Sequence, residues 1–179
     1  MTKLQNPITL KSIKHARFLS EETNAFAANV YIKGKKAGYA KNDGRGGCTH
    51  VWKDTDFLQL WKEAETFVEG LPKQKTDLVH NDDGTLFSYK LNMGHLIDEM
   101  IVDDLLWKEI KKKFKTKILV FKTEGTFSHI MSYARGNHTI EEYKRYFDKK
   151  LPDVVFMNDL GQNEAVKLYK IGTAGDWAN

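Results

Sequence analysis

The stretch Lys41-Asn42-Asp43-Gly44-Arg45-Gly46-Gly47-Cys48-Thr49-His50 concentrates the chemistry this chain can offer. It holds three glycines in four residues, an arginine among them, and the only cysteine of the chain just after. Successive glycines let backbone N–H groups point into one concavity, an anion nest, and a guanidinium adds a planar fork that fits phosphate oxygens. Lys41, Gly44, Arg45, Gly46, Gly47 and His50 are therefore the expected ligand-binding residues, with a phosphate-bearing ligand. The spacing matches neither the P-loop nor the dinucleotide fingerprint. The competing reading is a glycine-rich turn between two strands, in which Asp43-Gly44 supplies a positive φ.

Two further groupings invite catalysis or metal binding. Cys48 and His50 are two residues apart, so a strand would put them on one side, with Arg45 and His50 available to favour a thiolate. An unpaired cysteine is nevertheless an ordinary small buried hydrophobe. His95, Glu99 and Asp103 stack at four-residue steps on one helix face and could ligate a divalent ion, but no second motif supplies the remaining ligands. The acids Asp98, Glu99, Asp103 and Asp104 also suit the first half of a helix, where carboxylates complement the dipole. No catalytic residue, metal or cofactor is expected.

Lysines form the third signal. Lys108, Lys111, Lys112, Lys113, Lys115, Lys117 and Lys122 stand against Glu109 alone, a local 7 − 1 = +6. Part of that run is what a helix C-terminus attracts; the excess suits phosphates. Lys33, Lys35, Lys36, Lys41 and Arg45 make a second basic cluster. If the two share a face, nucleic acid or a nucleotide is the expected partner; if not, both are solubilising charge.

The elements that must position these residues follow from periodicity. Strands are expected at 8–18, at Ala25–Ile32 (Phe26, Ala28, Val30 and Ile32 on one side) and at Lys36–Lys41, the last two joined by Lys33-Gly34-Lys35. A short strand at Thr49–Lys53 leads to a helix capped by Asp54, striped by Phe57, Leu60, Trp61, Ala64, Phe67, Val68 and Leu71, and ended by a left-handed Gly70 and Pro72. After a basic linker (Lys73–Lys75), a hairpin turns at Asn81-Asp82-Asp83-Gly84 between Asp77-Leu78-Val79 and Leu86–Tyr89. A second helix spans Met93–Phe114, its first half apolar nearly all round and so central to the core. Strands at Thr116–Lys122 and Phe127–Tyr133 flank the Glu124-Gly125 turn. Thr139-Ile140-Glu141-Glu142 matches a capping box for a third helix, striped by Ile140, Tyr143, Phe147 and Leu151 and ended by Pro152. Val154–Met157 is a further strand, 165–171 a short helix or edge strand, and 172–179 a frayed tail. Recurrent hairpins with one βαβ-like crossover define an α+β fold, antiparallel hairpins on about three helices, as a single domain at 1–179 with possible halves 1–72 and 73–179.

Bulk composition bounds the class. The 179 residues, 41% hydrophobic and 29% charged, are ordinary for a globular domain and exclude a disordered chain. No apolar run spans a bilayer and the N-terminus lacks a signal peptide's apolar block, so no membrane partner is expected. One cysteine makes no internal disulfide, which points to a reducing cytoplasm. The net charge of +4 permits an anionic partner without demanding one.

The segment Tyr31-Ile32-Lys33-Gly34-Lys35-Lys36-Ala37-Gly38 followed by Asn42-Asp43-Gly44-Arg45-Gly46-Gly47, with Asp98–Leu106 and the lysines of 108–117, resembles short uncharacterised accessory proteins of bacteriophages and prophages. The resemblance covers the central two-thirds of the chain and brings no catalytic residues with it. It implies a viral protein acting in a bacterial cytoplasm, binding a nucleotide (a signalling nucleotide in counter-defence among them), nucleic acid or a host protein. The expected function is non-enzymatic binding of a phosphate-bearing ligand. The alternatives are an inhibitor or adaptor docking on a host protein through aromatics such as Tyr31, Tyr39 or Trp177, and a small enzyme using Cys48 with His50.

Overall fold

The computed structural model describes residues 6–125, 127–150 and 153–174, without the side chains of Asp77, Leu78, Asp148 and Lys149. The fold is α+β, with antiparallel strand pairing throughout the described sheets. Two compact units make it up, one running to Val102 and the other starting at Asp103. Their division falls inside a helix and not at residue 72.

The first unit is built on a four-stranded sheet in the order β1-β2-β3-β4, formed by β1 (Ile8–His15), β2 (Phe26–Ile32), β3 (Lys35–Asn42) and β4 (His50–Lys53). Alternation in β2 does what the sequence promised. Phe26, Ala28, Val30 and Ile32 are buried, while Ala27, Asn29 and Tyr31 on the other face are not. Helix α1 (Leu58–Glu69) covers the buried face through Trp61, Ala64 and Val68. The Trp61 indole N–H donates to the Ala37 carbonyl at 2.7 Å, so the largest core side chain is also satisfied. Asp54 caps the short 3₁₀ turn Thr55–Phe57 ahead of α1 by accepting from the Asp56 amide. Then come β5 (Gln74–His80), β6 (Leu86–Tyr89) and the start of α2 (Met93–Phe114).

The second unit continues α2 into a sheet ordered β8-β7-β9, from β7 (Lys117–Glu124), β8 (Phe127–Ala134) and β9 (Val155–Phe156), with α3 (Ile140–Lys150) and α4 (Gln162–Thr173). Ile118, Leu119, Val120 and Phe121 are all buried, because one side of β7 meets α2 and α4 residues and the other meets α3. The capping box forms as its sequence requires. The Glu142 amide donates to Thr139 Oγ1 at 3.2 Å and the Thr139 amide donates to Glu142 Oε2 at 2.8 Å.

Several expectations are corrected. Strand β1 stops at His15, because residues 17–19 close a 3₁₀ turn in which the Ser20 hydroxyl donates to the Ala16 carbonyl. Gly70 ends α1 with φ −79°, not left-handed, since its amide still reaches helical carbonyls. The presumed linker belongs in part to β5, which starts at Gln74. The first half of helix α2 is not packed all round: Val102 is 37% exposed, while Leu96, Ile97 and Ile101 are buried. The 165–171 segment is helix, within α4. Leu151, Pro152 and Trp177 lie outside the described residues.

Candidate functional site

The glycine loop between β3 and β4 is organised by a side chain the sequence did not single out. Asn42 is 4% exposed and makes four hydrogen bonds. Its Oδ1 accepts from the Gly44 amide (2.8 Å) and the Thr23 hydroxyl (2.9 Å); its Nδ2 donates to the Gly47 carbonyl (3.0 Å) and Thr49 Oγ1 (3.1 Å). The Gly44 carbonyl in turn accepts from the amides of Glu21, Glu22 and Thr23. Gly44 must be glycine. Its φ is +84°, and a Cβ would sit 2.2 Å from the Leu19 carbonyl oxygen. The Gly46 amide donates to Thr23 Oγ1 at 3.4 Å.

The amides of Gly44 and Gly46 are thus turned to internal partners, and the loop is docked on residues 19–23. Of the Gly44–Gly47 amides expected to form an anion nest, those of Gly44 and Gly46 are engaged by local side chains. Arg45 is exposed, as is Lys41, whose ammonium lies 2.6 Å from Asp43. That ion pair lowers the Asp43 carboxyl below its ordinary range, chiefly through the Lys41 hydrogen bond, and raises Lys41 in return.

Lys41 and His50 do belong together, on the outer face of the sheet. Directly paired strand residues point to the same face. The register aligns Lys14, Ala27, Lys41 and His50 in one row across the four strands, Lys11, Asn29, Tyr39 and Trp52 in the next, and Thr9, Tyr31 and Lys36 in a third. Tyr39 and Trp52 are 38% and 52% exposed, with ring centroids 5.8 Å apart. His50 lies 5.9 Å from the Trp52 ring, and the Lys11 ammonium sits 4.4 Å over Tyr31. The four strands carry Lys11, Lys14, Lys35, Lys36, Lys41 and Lys53, and no aspartate or glutamate. Two of these lysines have acidic partners outside the strands, Lys41 with Asp43 and Lys53 with Glu65; aromatics at the surface among the lysines are still an arrangement that stacks on planar groups and attracts anions. Trp52 was missed in sequence because β4 is too short to show periodicity.

A cleft of about 460 Å³ opens on the opposite side of β4, between Gly46–Thr49, Val51 and the start of α2. Cys48, Asn92, His95 and Asp98 line it, as does Glu65. Asn92 caps α2 reciprocally: its Oδ1 accepts from the His95 amide (2.9 Å), and its own amide donates to His95 Nδ1 (3.4 Å). The Thr49 hydroxyl donates to Asp98 Oδ1, extending the Asn42 network to α2. Burial pushes the Asp98 carboxyl above its ordinary range, against the Thr49 hydrogen bond and the nearby His95. Among the described residues, no lysine or arginine lines this cleft.

Cys48 therefore faces the cleft while His50 stands on the sheet face, so the Cys48/His50 pair of the alternative enzyme reading is divided between the two sides of β4. The His95/Glu99/Asp103 column gathers no metal-binding group among the described residues. In the second unit Lys108 pairs with Asp104, Lys113 with Glu109 and Lys122 with Glu124, so the basic run is partly matched within its own unit. A smaller cleft there, about 190 Å³ beside Lys113, Lys117 and Thr173, lies near the C-terminal ends of α2 and α4, whose dipoles oppose an anion.

Comparison with protein-family models, with curated proteins and with solved structures finds no match to this chain. Among the described residues no helix is long and apolar enough to cross a membrane.

Proposed function

We propose that this is a non-enzymatic binding protein whose ligand is single-stranded nucleic acid, held on the outer face of the β1-β2-β3-β4 sheet. The observation that carries it is the alignment of Tyr31, Tyr39 and Trp52 with Lys11, Lys14, Lys36 and Lys41 on one face of strands that contain no acid. Bases stack on exposed rings whatever their sequence, and lysines neutralise phosphates with release of counterions. Arg45, exposed in the adjoining loop, extends the cationic edge through its side chain rather than through the glycine amides. An open sheet face suits an unstacked strand; a duplex would hide its base faces from these rings.

The resemblance to phage accessory proteins adds a setting, a bacterial cytoplasm in which viral or host single strands are the accessible polymer. A host protein remains the second reading, favoured by Phe18, which is 86% exposed beside the same loop. One titration separates them. Fluorescence anisotropy with labelled oligothymidine and oligouridine at low salt is expected to show binding that weakens steeply as salt rises. No binding of either strand, at any salt, removes the proposal.

A further inference from the structure

The cleft beside the glycine loop is left unused by the sheet-face reading, and its chemistry differs from that of the face. Strand β4 ends the sheet. Along it, His50 and Trp52 point to the outer face while Val51 lines the cleft, so the two surfaces are separated by a single edge strand. A nucleic-acid strand crossing the sheet along the Tyr39–Trp52 row meets that edge and must either stop or turn over it.

From these placements we infer that the cleft receives one nucleobase of the bound strand, and that guanine is the base it prefers. The inference rests on the nucleic-acid reading above. The cleft's volume, about 460 Å³, is in the range of small-ligand sites. Its walls combine apolar surface from Val51 and Met93 with the polar groups of Asp98, Asn92 and Thr49. Asp98 supplies a carboxylate, which only accepts hydrogen bonds. The Asn42–Thr49–Asp98 chain fixes that carboxylate in place, so its orientation is set before any ligand arrives. Asn92 has its Oδ1 engaged by the His95 amide, which makes its Nδ2 the group to offer a base carbonyl.

Guanine is the base that presents two neighbouring N–H donors, N1–H and the N2 amino group, beside a carbonyl on one edge. A carboxylate next to an amide donor complements that edge. Thymine and uracil present one N–H between two carbonyls, and a carboxylate repels those oxygens. The phosphate at the turn would lie near the loop that carries Arg45, and among the described residues no lysine or arginine lines the cleft, the Glu65 carboxylate there being paired with Lys53.

The test compares oligothymidine with the same oligomer carrying a single guanine. The guanine oligomer is expected to bind about tenfold more tightly, the scale of one good polar base contact. Asp98→Asn, which removes the carboxylate that favours guanine and repels thymine, is expected to abolish that preference while both oligomers stay bound. Cys48, the only cysteine in the chain and exposed at the cleft, gives a second readout on the unaltered protein. Its alkylation by N-ethylmaleimide is expected to slow when the guanine oligomer is bound and to proceed at the free-protein rate with oligothymidine. Equal affinities and equal Cys48 protection for the two oligomers, with both still bound, overturn the cleft assignment and leave the sheet-face proposal standing. Failure of both oligomers to bind overturns the two together.

Discussion

Tyr39 on β3 and Trp52 on β4 are cross-strand partners whose ring centroids stand 5.8 Å apart with a 43° tilt. Neither ring is buried, and neither is needed to fill the core, which lies on the other side of the sheet behind Ala37 and Ala40. Two large aromatics held side by side at the surface by the register of β3 and β4 form an exposed patch of the kind that marks interaction sites. Because they are tilted, one flat group cannot stack on both, so they define two successive stacking positions.

Replacing either ring tests this directly. Tyr39→Ala and Trp52→Ala are each expected to weaken single-strand binding by about 1–3 kcal/mol, roughly 5- to 150-fold, the range for one lost base stack. Thermal melting is expected to change little, since only a cross-strand pair is lost. A large loss of stability with unchanged affinity would assign the pair to folding.

Lys41 and Asp43 make the electrostatic test. Asp43 holds the Lys41 ammonium at 2.6 Å, so a phosphate must compete with a carboxylate already in place. Asp43→Asn is expected to tighten binding and to steepen its salt dependence, whereas Lys36→Ala and Lys11→Ala flatten it, each by about 0.7 in the slope of log K against log salt. Salt titrations of the three variants give the slopes.

The glycine loop separates scaffold from surface. Gly44→Ala forces a side chain into the left-handed region and onto the Leu19 carbonyl, and is expected to destabilise the protein by more than about 1–2 kcal/mol. Nothing lies within 4 Å of a Cβ on Gly47, which has no positive φ, so Gly47→Ala is expected to melt like the parent. Chemical denaturation of both distinguishes them.

Asp98 carries the pH test. Its folded-state carboxyl titrates above its ordinary 3.8 because burial disfavours the charge. The folded state therefore binds the proton more tightly than the unfolded chain, and the protein loses stability as pH rises from the ordinary value through the raised one. Asp98→Asn removes this penalty, so the melting temperature of the variant relative to the parent is expected to rise across that window and stay level above it. A difference independent of pH would show that Asp98 ionises as freely as in the unfolded chain.

The parts of the fold legible in sequence are those fixed by neighbours a few residues apart. The Thr139–Glu142 capping box, the Trp61–Ala64–Val68 stripe and the alternation of β2 each appear where their spacing put them, because one turn or one pleat contains all the partners involved. Glycine content marked the 42–49 loop as a break between strands, and the register sets Lys41 opposite His50.

Which donors the loop keeps was decided by closure over longer distances. The Gly44 carbonyl is claimed by amides at 21–23, and Thr49 by a carboxylate at 98, pairings that no local spacing announces. The same holds for the lysine and aromatic rows: each strand shows its own alternation, but only the register between strands places Lys14 level with His50, or Tyr39 opposite Trp52. A shift of one residue in that pairing would turn every one of those side chains to the other face, so the sequence by itself determined the strands, and the hydrogen-bonded assembly of four of them determined the surface.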